Sequence, residues 1–230
     1  MHGIHVKLIE QLGKLFSLVN LGELRWLLGI AITWDWLKHT ISLCQSAYIE
    51  SITKWLHFED MYLVTTPLDP HIMLSKDLSP ESEEERTQMK KIPYLTMVGS
   101  IMYAATATCP DVTFAIQHLS QFNCNLGNAH WTTAQHIIQY LYATRTQSLV
   151  FGGLDINLTA WVDSDWGACT DMCHSKSGYP FSLGSGIVSW SSKWSSKNNQ
   201  WLPHPALRQN TSQAAMVQKK LFGYNPCWSF

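Results

Sequence analysis

A change of period divides this chain. Between residues 93 and 145 apolar side chains return every three or four positions, and from 158 to 193 they return every second position. Those spacings belong to a helix stripe and to a strand face. The chain must therefore join a helical layer to a sheet. Three segments make up the helical part: PYLTMVGSIMYAATA (93–107), PDVTFAIQHLSQFN (110–123) and AHWTTAQHIIQYLYATR (129–145). Pro93 and Pro110 stand where a first helical turn tolerates proline, and Asn125 with Gly127 end the second segment. A small bundle is the expected packing. In the later part LTAWVDSDW alternates, which would carry Asp163 and Asp165 to one face of a strand. SGYPFSLGSGIVSWSSK predicts two strands joined through Gly184 and Gly186.

The first 60 residues read as helix, hairpin, helix. Val6, Ile9, Leu12, Leu15 and Phe16 fall at helical spacing within 4–17. LGELRWLLGIAITWDW turns toward strand, with Gly22 and Gly29 permitting turns, and LKHT leads into a second short strand, ISLCQ. SAYIESITKWLHF predicts a helix with Ser46 as its N-cap and Tyr48, Ile49, Ile52, Trp55 and Leu56 along one side. From 64 to 91 three prolines and the acidic run SPESEEER predict a linker or long loop. Beyond Trp194 no period persists, and the sequence assigns no structure there.

Charge excludes little. The formal net charge is −1 and the pI about 6.8, so no global field draws the chain to nucleic acid or to an anionic membrane. Residues 129–204 hold four Lys/Arg against four Asp, a poor footprint for phosphate. The distribution is uneven, however. Asp171 is the last carboxylate, and the 59 residues after it carry six Lys/Arg. Cys169, Cys173 and His174 could offer three zinc ligands, but no second cysteine pair stands at finger-like distance. The eleven tryptophans are spread evenly, which predicts use in the core. Without a signal peptide or a run long enough to span a bilayer, the expected location is intracellular, cytoplasmic or nuclear, with no membrane partner.

In this order the segments resemble the C-terminal part of the Pol polyprotein of copia-type LTR retrotransposons. LGELRWLLGI (21–30) is similar to the reverse-transcriptase stretch beyond the catalytic palm, near the primer grip; SAYIESITKW and TTPLD follow it. YLTMVGSIMYAATATCPDVTFAIQHLSQF (94–122) and HWTTAQHIIQYLYATRTQSLVFG (130–152) resemble the helical connection. WVDSDWGA and KSGYPFSLGSGIVSWSSK resemble the opening strands of a ribonuclease H domain.

The resemblance implies an α/β (α+β) fold, a helical thumb/connection-like region followed by a truncated ribonuclease H-like mixed sheet. It implies a palm end and thumb-like region over 1–69, a linker over 70–92, a helical connection over 93–152, a partial ribonuclease H-like domain over 153–193 and an unmatched tail over 194–230. Leu28 and Gly29 would lie at a primer-grip-like position touching nucleic acid. The implied partners are an RNA–DNA hybrid or primer–template and an intact element-encoded Pol. The implied cofactor is Mg²⁺.

The residues limit what activity can follow. Both family reactions use paired metal ions held by several carboxylates. No Asp-Asp pair occurs anywhere in the chain, so no polymerase site is expected. Asp163 matches the first-strand nuclease carboxylate, with Asp165 a weaker candidate, and the metal site would be Asp163 alone. The family places a Thr-Glu-Ala-Glu-Tyr-like helix soon after SWSSK; WLPHPALRQNT stands there instead. One choice of synonymous codons for residues 201–211, read two nucleotides later, yields Ala-Pro-Ser-Ser-Ser-Thr-Glu-Ala-Glu-Tyr. A frameshift near 194–200 would account for the tail.

Overall fold

The computed structural model of the protein describes residues 2–19, 22–58, 61–69, 71–153, 157–164 and 176–194. Its core is the predicted bundle. Here α1 is Tyr94–Ala107, α2 is Thr113–Leu119 and α3 is Asn128–Thr144. Short 3-10 turns at Pro110–Val112 and Ser120–Phe122 flank α2, so the single helix expected over 110–123 is divided in three. Met97, Ile101, Ala104, Ile116, Leu119 and Ile137 are wholly enclosed. Removing such surface from water is what holds the layer together, at about 25 cal/mol per Å² of apolar area.

An antiparallel sheet borders this bundle. β1 (Trp26–Leu27), β2 (Ile30–Asp35) and β3 (Thr40–Cys44) follow in order, and β4 (Leu149–Gly152) joins from beyond α3. The β1–β2 turn has Leu28 and Gly29 both at positive φ (52° and 79°), as a two-residue type I′ connection requires. In the β2–β3 turn Asp35 accepts backbone N–H bonds from Leu37 and Lys38. The Lys38 bond is the main cause of an Asp35 pKa below its ordinary value. The helix α4 (Ser46–Trp55) places Ile49 and Ile52 against the bundle. Ser46 is its first residue and not its cap; Gln45 occupies the cap position without a side-chain bond. Trp55 projects outward, as do Trp26 and Trp36, so the tryptophans are not all core residues.

The segment expected as a linker folds onto the bundle. Leu68 and Leu74 enter the core, and His136 and His130 of α3 donate to the carbonyls of Thr66 and Ser75. His130 is fully buried; its Nδ1 accepts the Gly127 N–H at 3.0 Å, which fixes the proton on Nε2. The acidic run forms a short helix, α5 (Glu83–Met89), started by a Ser82–Glu85 capping box. At the N-terminus α6 (His2–Gly13) ends earlier than the expected 17. Leu15 and Phe16 lie past it, and with Ile9 and Leu12 they are exposed.

A second sheet contains β5 (Leu158–Ala160), β6 (Asp163–Ser164), β7 (Lys176–Leu183) and β8 (Gly186–Trp194). β7 is central, pairing β8 on one side and β5 and β6 on the other. The strand expected over LTAWVDSDW is thus broken at Trp161 and Val162. Gly178 lies inside β7, opposite Asp163 of β6. Both described sheets are antiparallel where a mixed sheet was expected; a single parallel bridge, Gly152 to Gly184, links the sheets. The mixed helix-and-sheet class is as predicted. Among the described residues no helix is long and apolar enough to cross a membrane.

Candidate nucleic-acid interface

The hairpin tip is held by tyrosines. The Tyr103 hydroxyl donates to the Leu28 carbonyl, and Tyr103 meets Tyr48 edge to face with centroids 4.8 Å apart. Tyr48 in turn donates to the Ser100 carbonyl, and burial raises its pKa. A Cβ on Gly29 would touch Tyr48 at 3.9 Å. The backbone of the tip is therefore anchored to α1 and α4, while the Leu28 side chain stays 77% exposed. At the other end of β2, Trp34 and Trp36 stack at 5.2 Å and 7°. Their ring N–H groups donate to the Leu24 carbonyl and to Glu23, clamping the approach to β1. Sequence spacing gave no sign of the tyrosine anchor, because Tyr103 and Leu28 are 75 residues apart.

Asp163 stands in β6 opposite Gly178, exposed, in a different sheet from Leu28 and Gly29. Asp165 and the possible zinc ligands Cys169, Cys173 and His174 lie outside the described residues. Among the described residues no three His, Cys, Asp or Glu side chains gather to hold a metal ion. Mg²⁺ takes an octahedral set of oxygens, and one carboxylate cannot position it for catalysis. The described residues alone do not fit the implied pair of metal ions.

The register of the second sheet sorts its side chains into two faces. Lys176, Gly178, Pro180 and Ser182 alternate toward the bundle, with their partners Trp194, Ser192, Trp190 and Ile187. That face is sealed. Lys176, only 4% exposed, lies 3.3 Å above the Phe114 ring and donates to the Phe114 carbonyl; Trp190 donates to the Ala105 carbonyl. The opposite face carries Tyr179, Phe181 and Leu183 on β7, Ser189, Ser191 and Lys193 on β8, and Leu158 and Ala160 on β5. It is largely open, with Tyr179 38% exposed and edge-on to Phe181 at 5.3 Å. Ser177, Tyr179, Phe181 and Leu183 recur every second residue, so this face was readable from sequence once the strand was placed.

Several ionisable groups in the bundle are displaced from their ordinary behaviour by burial. Asp111 lies at the surface, yet desolvation beside α3 raises its carboxyl pKa, against the opposing Tyr140 hydroxyl at 2.6 Å. Burial likewise pushes the Cys109 thiol up to about 12, which leaves it inert at neutral pH.

The chain is 36% identical over 191 residues to the retrovirus-related Pol polyprotein from transposon TNT 1-94 of Nicotiana tabacum, covering 83% of this chain and 14% of that protein. It is 31% identical over 186 residues to the retrovirus-related Pol polyprotein from transposon RE1 of Arabidopsis thaliana, covering 80% and 12%. A putative transposon Ty5-1 protein of Saccharomyces cerevisiae is 29% identical over 191 residues, covering 83% of this chain and 60% of its own. The chain thus spans about one seventh of the tobacco polyprotein. No family model and no solved structure matches it. On these relationships the chain is homologous to a part of the retrovirus-related Pol polyproteins of copia-type transposons.

Proposed function

We propose that this chain corresponds to the part of a copia-type Pol running from the end of the reverse-transcriptase palm into the ribonuclease H domain, and that this part binds nucleic acid without cleaving it. The observation that carries the second half is the carboxylate inventory. By the resemblance Asp163 takes the place of a first-strand nuclease ligand, and WLPHPALRQNT stands where the family has its Glu-bearing Thr-Glu-Ala-Glu-Tyr-like helix. Lys, Ser and His cannot replace a set of hard anionic ligands. The anchored turn at Leu28 and Gly29 supports the first half, since a rigid backbone is what a primer-gripping element needs.

The test is fluorescence anisotropy with an RNA–DNA hybrid, paired with a cleavage assay in Mg²⁺. Salt-sensitive binding without cleavage is expected, and Asp163→Asn should leave both unchanged. Cleavage that Asp163→Asn abolishes would overturn the proposed inactivity. Sequencing the transcript through codon 230 tests the frameshift, which requires Thr-Glu-Ala-Glu-Tyr in another frame near codon 207. A second reading, an accessory subunit of an intact element-encoded Pol, is favoured by the exposed apolar residues Leu15, Phe16, Trp26 and Leu28. Co-sedimentation with an intact Pol would select it.

A further inference from the structure

We infer that the open face of the second sheet is a stacking surface for single-stranded nucleic acid. This rests on the nucleic-acid reading above and adds to it a place and a strand type. Strand register puts Tyr179 and Phe181 side by side on the face turned away from the bundle. Ser191 and Ser189 lie directly across from them, and Lys193 lies across from Ser177. The face therefore presents two aromatic rings, hydroxyls beside them and a cation at one end.

Charge favours a polyanion. No Asp or Glu occurs among the described residues of this face; Asp163, exposed at the β6 edge, pairs with Gly178 and so belongs to the other face. The neutral total over 129–204 conceals this separation. Aromatic rings on a flat sheet accept bases of any sequence, because every base has a π-face. A duplex buries those faces in its own stack, so the platform selects unpaired strands. The sealed face cannot serve, because Lys176 and Trp190 are committed to the carbonyls of Phe114 and Ala105.

The experiment uses the full chain and a fluorescein-labelled oligouridylate, with an RNA–DNA hybrid as the parallel probe. Tyr179→Ala with Phe181→Ala should weaken oligouridylate binding about tenfold or more while sparing the hybrid. Lys193→Glu, a surface change that leaves packing intact, should weaken it further as salt falls. Oligouridylate affinity unchanged in both variants would overturn the inference and leave the hybrid reading standing. Failure of the wild-type chain to bind either probe would overturn both. Sedimentation showing self-association that the Tyr179 and Phe181 changes abolish, with no oligouridylate bound, would assign the face to a second copy instead.

Discussion

The helical bundle and the second sheet differ in how they use an apolar face. In the bundle each helix turns its stripe toward another helix, and Met97, Ile101, Ile116 and Ile137 meet no solvent. In the sheet one face is sealed through Ile187, Trp190 and the aliphatic stem of Lys176, while Leu158 and Leu183 remain outside. Similar residues thus do different work. A stripe with a partner stabilises the fold; a face without one is surface available for binding or for association.

The first way to break the contrast is Ile101→Ala. The fully enclosed side chain loses its three carbons beyond Cβ and leaves a cavity, and the change should cost about 3 kcal/mol in urea unfolding. His130→Ala should cost about 2 kcal/mol, because the buried Gly127 N–H loses its acceptor and the Ser75 carbonyl its donor. Next comes Gly186→Ala, where a Cβ would lie 2.3 Å from the Val150 carbonyl oxygen. Overpacking there should cost about 1–2 kcal/mol and loosen the junction of the sheets, seen as faster amide exchange in β4 and β8. Leu158→Thr, on the open face, should stay within about 0.5 kcal/mol of the parent. A loss near that of Ile101→Ala would mean that the face is covered.

The smallest effect concerns pH. The Asp111 carboxyl has a raised pKa in the folded chain, so folding favours its protonated form. Its contribution is fully present below the ordinary value of 3.8 and is lost as pH rises through the folded value. Asp111→Asn, which keeps an acceptor for Tyr140, should flatten the difference in stability across that window. A parent and variant with parallel pH profiles would reject this account.

The bundle was legible because long stripes with Pro93, Pro110 and Gly127 between them leave few alternatives. The two strands joined near Gly184 were legible for the same reason. Leu68 and Leu74 were not, since single apolar residues in a proline-rich stretch have no period to reveal burial. His130 could be placed at a helix start, but its bonds to Gly127 and Ser75 depend on how a distant loop returns. The resemblance is what singled out Asp163 in the sequence, whereas the contact of Tyr103 with the Leu28 carbonyl required the tertiary fold.

The pairing of β3 with β4 also bears on how the chain is made. Thr40 pairs with Gly152 and Leu43 with Leu149, partners more than a hundred residues apart. On a ribosome adding roughly 5–20 residues per second, the β3 edge would wait roughly 5–20 s for its neighbour. Throughout that interval Ile41 and Leu43 lie on an unpaired edge, open to pairing with another nascent chain. Synthesis speed between codons 44 and 149 therefore sets how long that edge stays open.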